Sequence, residues 1–234
     1  TPYMILLALY QALLARLSGT TDIVVRSPTS GRTHPQVAGL IGLFVNMLPL
    51  RSTVRGDAPF AAHLERVREN TLEALGNQTF PYEWLVAALA RKRDLSYEAV
   101  AQADFVLREG HAASGALPGL AVLSLETLHS GAINDLTWIA QPNGEELQCE
   151  FVYATDLFDA ATIVEFAERL ARLAAGIVDT PERPLDEIDL RLPYDEAKAQ
   201  RRHPLTSAQQ IRHSQLGDIE AGLRMLCIGV DVDD

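Results

Sequence analysis

The sequence predicts an α/β sandwich of two layers, a mixed sheet with helices over one face. Short β-branched runs alternate with amphipathic helical patterns in the first half of the chain. Two alternating apolar runs then flank an Asn-Gly pair, which is typical of a β-hairpin. A long helical pattern follows, and its apolar face needs a sheet to cover.

The first helix is predicted from about Pro2 to Leu17, with Thr1 as N-cap and Pro2 at the first helical position. Gly19 is a natural stop. Its apolar face is formed by Leu6, Leu9, Leu13 and Leu17. Because the chain begins at a helix N-cap, we expect it to be a piece of a longer protein.

Two strands are predicted next, at 22–26 and about 45–53, separated by a loop and a helical turn near 37–40. Pro49 lies inside the second strand. Because proline cannot donate to a ladder, this strand is predicted to be an edge or to carry a bulge.

Helices follow at about 60–75 and 82–90, and a strand core at 105–107. The inner face of the longer helix is predicted to comprise Leu64, Val67, Thr71 and Leu75. The Gly/Ala/Ser-rich stretch 111–119 predicts a loop.

The hairpin and the last helix carry the clearest local signals. The hairpin strands alternate Leu136, Trp138, Ala140 and then Leu147, Cys149, Phe151, Tyr153. Asn143-Gly144 tolerates the positive φ of a tight turn, and Trp138 is predicted to pack in the core. Asp159 caps the last helix, whose buried face is Ile163, Phe166, Leu170, Leu173 and Ile177. Thr180-Pro181 ends it, and proline and charge from Glu182 onward predict a linker.

The composition excludes several classes of protein. A hydrophobic fraction of 47% is ordinary for a globular domain. The formal net charge of −11 would repel phosphates, so nucleic acid is excluded as a partner. No apolar run is long enough to span a membrane. No secretory leader is visible, which predicts the cytosol.

Cysteine and histidine are sparse. The two cysteines, Cys149 and Cys227, lie far apart, so neither a disulfide framework nor a metal site is predicted. The histidines are scattered, and His34, His63, His111 and His129 are interpreted as surface residues.

Three runs stand out by their order and spacing. They are Ile41-Gly-Leu-Phe-Val-Asn-Met-Leu-Pro-Leu-Arg51, Asn77-Gln-Thr-Phe-Pro-Tyr-Glu83 and Arg93-Asp-Leu-Ser96. Together they resemble the last three signature motifs of nonribosomal peptide synthetase condensation domains. Gly31-Arg32, Asn134-Asp-Leu-Thr137 and Tyr153-Ala-Thr-Asp-Leu-Phe-Asp159 fit the same resemblance.

The resemblance implies a fold similar to chloramphenicol acetyltransferase, with two lobes around a cleft. This chain would be the C-terminal lobe and would form one wall and the floor of that cleft. The implied partners are the N-terminal lobe, peptidyl carrier proteins and adjacent synthetase domains. The carrier proteins would deliver substrates on 4'-phosphopantetheine, and no cofactor would be bound directly.

The family's catalytic motif, His-His-x-x-x-Asp-Gly, belongs to the N-terminal lobe. Nothing in the printed sequence matches it. The resemblance therefore implies part of an amide-forming acyltransferase in which this chain carries no catalytic residue and is inactive alone.

Four residues are predicted to face the substrate channel: Ser30, Gly31, Asn46 and Asp135. For Asn46 the alternatives are a polar group that orients substrate and an amide that satisfies backbone at a strand start. Ser30 is either the small residue that leaves room for the pantetheine arm or an ordinary loop serine. Asp135 is either a contact with the other lobe or a plain turn.

The other motif residues are interpreted as structural. They are Gly42, Phe44, Gln78, Pro81, Glu83, Arg93 and Asp94. Pro81 starts a helix, Glu83 complements its dipole, and Arg93 and Asp94 form a local ion pair or cap.

Two departures from the family pattern are visible. Tyr97-Glu-Ala-Val100 stands where the family usually has Arg-Asn-Pro-Leu. Asp104 replaces a typically apolar residue, which predicts a strand that is shifted or exposed there.

The domain is predicted to span 1–190, with 191–234 as a linker or divergent tail. Leu205-Thr-Ser-Ala-Gln209 is faintly similar to the opening motif of a condensation domain. The tail is thus the start of a second domain, a divergent linker or an unrelated end.

Two other functions remain open. One is a non-catalytic docking or scaffold module that kept the fold and lost the chemistry, which the missing histidine motif favours. The other is an epimerization domain, against which the first two runs argue.

Overall fold

Four helices and six strands make up the part of the chain that the structure describes. It is a computed structural model, and it describes residues 1–89, 100–108 and 131–195, and the backbone of 226–229. The helices are α1 Pro2–Ser18, α2 Phe60–Gly76, α3 Tyr82–Leu89 and α4 Ala160–Asp179. The strands are β1 Asp22–Thr29, β2 Asn46–Thr53, β3 Ala103–Leu107, β4 Leu136–Asn143, β5 Glu146–Tyr153 and β6 Leu226–Gly229.

The strands form one mixed sheet in the order β2-β1-β3-β4-β5-β6. The central strands β1, β3 and β4 run parallel, whereas β2, β5 and β6 are antiparallel to their neighbours. The predicted mixed α/β sheet is therefore confirmed. β1 extends to Thr29, past its predicted end, because every residue from Asp22 to Thr29 has a partner in β2.

Strand β2 is an edge of this sheet, as Pro49 predicted. Pro49 lies opposite Arg26 in an unbroken register from Asn46 to Thr53. The strand thus needs no bulge to accommodate the proline, because an edge strand has an unpaired side.

Helix α1 lies in the middle of the helical layer and contacts both α2 and α4. Thr1 caps its first turn and Gly19 ends it in the left-handed region, as predicted. Because neighbours flank it, apolar residues surround the helix rather than forming one stripe. The buried residues of α1 are Met4, Leu7, Ala8, Leu9, Tyr10, Gln11, Ala12 and Leu13.

An aromatic cluster joins α1 to the sheet. Trp138 is almost fully buried, and its ring centroid lies 5.4 Å from Tyr10, 5.1 Å from Phe105 and 6.3 Å from Phe151. The pairs with Tyr10 and Phe105 are tilted and the pair with Phe151 is stacked, and all three spacings are typical of aromatic packing. The predicted core position of Trp138 is confirmed.

The predicted hairpin is also confirmed. β4 and β5 pair from Leu136–Tyr153 to Asn143–Glu146, and Gly144 takes a positive φ in the turn. The turn chemistry and the alternating pattern agree, so the register is fixed locally.

Helix α4 begins at Asp159, whose carboxylate accepts a hydrogen bond of 2.7 Å from the Thr162 amide. Its buried face includes Ile163, Leu170 and Leu173. This agrees with the predicted cap and with the spacing of the predicted face.

We expect Asp159→Ala to lower the free energy of unfolding by about 1 kcal/mol, because the first turn loses a side-chain acceptor for its amide. Urea denaturation followed by circular dichroism measures the change. Asp156→Ala, at an exposed position outside the helix, is the matched control. Equal effects of the two substitutions would contradict the capping role.

The segment after α4 packs against the domain, so the linker prediction from Glu182 onward is wrong for 184–190. Leu185, Ile188, Leu190 and Leu192 are all buried. Arg16 of α1 donates hydrogen bonds to the carbonyl oxygens of Leu185 and Ile188, the second at 3.1 Å. Charged residues between these apolar side chains hid the buried positions in the sequence.

Beyond Asp195 the tail is described only at β6, whose backbone pairs with β5 from Gln148–Gly229 to Phe151–Leu226. The interpretation of 191–234 as linker or divergent tail stays a prediction. Across the described ranges, none of the helices combines the length and apolarity required to cross a membrane.

Candidate functional site

Two of the three signature runs meet at one end of the sheet. Thr29 at the end of β1 pairs with Asn46 at the start of β2, and the turn between α2 and α3 lies beside them. We call residues 29–32, 40–46 and 77–84 the rim. The third run, with Arg93 and Asp94, lies outside the described residues, as do His111 and His129.

The Asn46 side chain holds the rim together. Its amide nitrogen donates to the carbonyl oxygens of Gln78 at 2.9 Å and Phe80 at 2.8 Å. Its amide oxygen accepts from the Tyr82 backbone at 3.1 Å, at the first residue of α3. Both amide donors and one acceptor site therefore serve the backbone, which is the structural alternative. A role for Asn46 toward substrate stays a prediction.

Gln78 makes a second connection across the rim. The Thr29 hydroxyl donates to its side-chain oxygen at 2.7 Å, and its amide nitrogen donates to the Leu75 carbonyl at 2.9 Å. Pro81 directly precedes α3, and Glu83 is exposed in its first turn. The structural interpretation of Gln78, Pro81 and Glu83 stays a prediction.

Gly31 is fixed by close approach of the backbone. It has a φ of +63°, and a Cβ atom built on it would lie 1.8 Å from the Phe44 carbonyl oxygen. Ser30 beside it is exposed, and its hydroxyl accepts from the Arg32 amide at 3.4 Å. Ser30, Gly31 and Asn46 are thus neighbours on the rim.

We expect Gly31→Ala to destabilise the chain more than Gly19→Ala does. Both glycines have positive φ, which costs an alanine about 1–2 kcal/mol. A Cβ on Gly19, however, meets nothing within 4 Å. Thermal unfolding of the two variants isolates the contact with Phe44. Equal shifts in Tm would show that the rim accommodates the added Cβ at no extra cost, which would contradict the expectation.

The Arg32 side chain closes the loop between β1 and β2. Its guanidinium lies 4.5 Å from the centroid of the Phe44 ring and donates to the carbonyl oxygens of Val37, Ala38 and Gly42. Such a stack combines a cation–π contact with carbonyl capping. Gly42 and Phe44 are therefore parts of a folded loop, and their structural interpretation stays a prediction.

The rim carries an exposed apolar surface, whose residues the sequence did not identify. The exposed side chains are Leu40, Ile41, Leu43, Val45, Phe80 and Trp84. Phe80 and Trp84 form an edge-to-face pair with centroids 6.2 Å apart, and Trp84 is 67% exposed. Clustered exposed apolar side chains are typical of surfaces that bind a partner.

A buried charged cluster lies behind the rim. Arg26 donates to both carboxylate oxygens of Asp104 at 2.9 and 3.2 Å, and Asn134 hydrogen-bonds to both residues. Arg26 is 7% and Asp104 5% exposed. Burial alone lowers the pKa of Arg26, but the hydrogen bonds and charge of Asp104 outweigh it and raise that pKa.

The expectation that Asp104 marks a shifted or exposed strand is therefore wrong. Asp104 lies in register opposite Arg26 in the parallel pair of β1 and β3. The carboxylate is buried because the guanidinium compensates its charge. Arg26 was missed, although a charged residue on each of two predicted strands was a signal.

Asp135 lies away from the other three predicted channel residues. It lines a cavity of about 520 Å³ with Leu17, Val24 and Phe166, where β1, β3 and β4 begin. Ser30 lies at the opposite end of β1, about 20 Å from Val24 at the usual strand rise. The channel role of Asp135 stays a prediction, and the structure does not bring it to the rim.

His63 is buried, so its interpretation as a surface residue is wrong. The inner face of α2 comprises Phe60, His63, Val67 and Thr71, rotated from the predicted one. Burial and the charge of Arg66 lower the pKa of His63 to about 4. The Ala8 backbone acts in the opposite direction and raises this pKa. Within the described residues, neither ring nitrogen has a hydrogen-bond partner. His34 is exposed, as predicted.

Comparison with known proteins matches this architecture. The family model for the Condensation domain matches residues 1–200. Bacitracin synthase 3 of Bacillus licheniformis is 38% identical over 190 residues, 81% of this chain and 3% of that protein. Tyrocidine synthase 3 of Brevibacillus parabrevis is 36% identical over 197 residues, 83% of this chain and 3% of that protein. The chain thus spans a small fraction of these relatives.

Solved structures share the fold. The four-domain nonribosomal peptide synthetase AB3403 superposes with a TM-score of 0.74 at 23% identity, over 84% of this chain and 16% of that one. The X-domain from teicoplanin biosynthesis, solved in complex with OxyB, gives 0.71 at 26% identity, over 81% and 42%. The first condensation domain of the CDA synthetase gives 0.63 at 24% identity, over 81% and 42%.

Proposed function

The chain belongs to the condensation-domain family of nonribosomal peptide synthetases, and we propose that it is the C-terminal half of such a domain. The coverage supports this proposal: most of this chain aligns with less than half of a solved condensation domain. The other half would supply the second lobe of the cleft.

In this proposal the rim forms part of the wall and floor of the cleft. An acceptor amine attacks the acyl thioester of a donor, the amide C–N bond forms, and the C–S bond breaks to release the carrier thiol. Both substrates arrive on phosphopantetheine arms of carrier proteins. The observation that carries the proposal is the Asn46 side chain, which joins two signature runs into one rim.

The proton of the attacking amine would be handled by the N-terminal half. No two histidines are adjacent in the printed sequence, so the family's catalytic motif is not on this chain. A base must lie within hydrogen-bond reach of the amine. We therefore propose that this chain binds and orients the carrier-bound substrates, and that it is inactive alone.

The test is complementation between halves. The chain is mixed with loaded donor and acceptor carrier proteins, with or without a separately produced N-terminal half of a related condensation domain. We expect dipeptide, measured by mass spectrometry, only when both halves are present. Dipeptide from this chain alone would refute the division of labour.

A non-catalytic docking module is the alternative function. One observation favours it: the X-domain, which shares this fold, was solved in complex with another protein, OxyB. The exposed apolar surface of the rim suits such a role equally well.

The same complementation separates the two functions. A docking module would bind carrier proteins in calorimetry and yield no dipeptide with the N-terminal half. To validate that half, it is also paired with the C-terminal half of its own domain, which must restore dipeptide formation.

A further inference from the structure

Helix α3 begins over the face of the sheet that α1, α2 and α4 leave uncovered. Val25 and Ser27 of β1 point toward the helical layer, where Val25 joins the core. Arg26 therefore points to the opposite face, because strand side chains alternate. The Tyr82 ring, at the first residue of α3, lies 5.2 Å from the Arg26 guanidinium carbon.

The charged cluster under Tyr82 is a costly way to fill that position. Burying an ion pair costs desolvation, and apolar residues of similar volume often give equal stability. Apolar residues, however, do not impose a defined orientation on the group that packs against them. A planar guanidinium held by two carboxylate oxygens has one orientation and presents one flat face to a ring.

Tyr82 connects this cluster to the rim. Its backbone amide donates to Asn46, and its ring covers Arg26. Phe80 and Trp84, the exposed aromatic pair, flank it in the sequence. Through Tyr82, the Arg26 guanidinium is thus connected to the aromatic pair on the surface of the rim.

We propose that Arg26 is a positioning residue: it fixes the first turn of α3 through Tyr82 and so sets the position of the Phe80–Trp84 pair. Asp104 and Asn134 hold the guanidinium in the required orientation. This inference goes beyond the proposed reaction and does not depend on it, since it follows from contacts within this chain.

The test replaces the pair with apolar residues, as Arg26→Met with Asp104→Leu. Hydrogen exchange is measured by mass spectrometry in peptides covering 80–89, with 4–13 of α1 as the internal reference. We expect exchange about tenfold faster in 80–89, the factor given by one cation–π contact, and no change in 4–13. Unchanged exchange in 80–89 would overturn the proposal.

A spectroscopic measurement distinguishes positioning from general stabilisation. Trp138 is buried, so acrylamide quenching of tryptophan fluorescence reports chiefly on Trp84. We expect quenching to change in the double variant and to return only in part in Arg26→Lys, which keeps a cation under the ring but lacks the planar guanidinium. Quenching equal to the parent in the double variant would contradict the proposal.

Tyr82→Leu provides a decisive second variant if the double variant does not fold. It leaves the hydrogen bonds among Arg26, Asp104 and Asn134 in place and removes the ring together with its hydroxyl, which hydrogen-bonds to Arg26. Faster exchange in 83–89 with unchanged exchange in 4–13 supports the proposal. Parent-like exchange in 83–89 refutes it.

Discussion

Asp104→Leu lowers the free energy of unfolding by about 3–5 kcal/mol, the usual cost of leaving one buried charge without its partner. The substitution removes the two carboxylate acceptors of the Arg26 guanidinium, whose side chain is 9% exposed. Arg26 and Asp104 are both buried, so water has little access to replace the lost carboxylate. Urea denaturation at neutral pH measures the loss.

The exposed pair of Arg51 and Asp22 is the matched control. It has the same two-bond geometry, at 2.8 and 2.7 Å, but its side chains are 73% and 51% exposed. Exposed pairs contribute little to stability, so Asp22→Leu is expected to cause only a small change. If both substitutions cost the same, burial does not set the strength of the Arg26 pair.

Acidification destabilises the chain through His63, by about 3 kcal/mol between pH 6.5 and pH 4. The folded state holds this imidazole neutral down to a pKa of about 4, whereas the unfolded chain takes up the proton near 6.5. Over that interval the unfolded state binds more protons, so stability falls as the pH falls. Below pH 4 both states are protonated and the loss stops growing.

His63→Leu removes this dependence. Because neither ring nitrogen has a hydrogen-bond partner among the described residues, the variant is expected to be at least as stable as the parent at pH 7. Urea midpoints of parent and variant at pH 7, 6, 5 and 4 give the difference directly and cancel the contribution of the carboxylates.

His34→Asn is the control, because His34 is exposed and its side chain accepts a hydrogen bond from the Gln36 amide at the start of a 3-10 turn, a role that asparagine can keep. Its acid dependence should follow that of the parent. A parent-like acid dependence in His63→Leu would show that His63 already titrates normally.

The sequence predicted the elements whose signals are local. The Asn143-Gly144 turn, the Asp159 cap and the Thr1 cap each depend on a few neighbouring residues, and all three are confirmed. Pro49 predicted an edge strand because its missing donor restricts it to such a position. The rim was half predicted, since two motifs adjacent in the family's order meet through Asn46.

The features that the sequence did not predict depend on contacts between residues far apart in the chain. Arg26 and Asp104 meet only because β1 and β3 pair in parallel with one register, and no local pattern specifies that register. The buried state of His63 depends on which face of α2 turns inward. The predicted buried face of α2 included Leu64 and Leu75 because they are apolar, whereas the observed face includes Phe60 and His63. Leu185 and Ile188 were hidden among charged residues.

The hydrogen bonds from Arg16 to the segment after α4 also constrain how the domain folds during translation. Arg16 and Ile188 are 172 residues apart, so synthesis of the intervening chain takes roughly 10–30 s at ordinary ribosomal rates. Helix α1 emerges among the first elements of this region yet acquires its last acceptors only after α4 has been made. A truncation before residue 185 would leave that guanidinium without them, so expression boundaries should extend past Asp195.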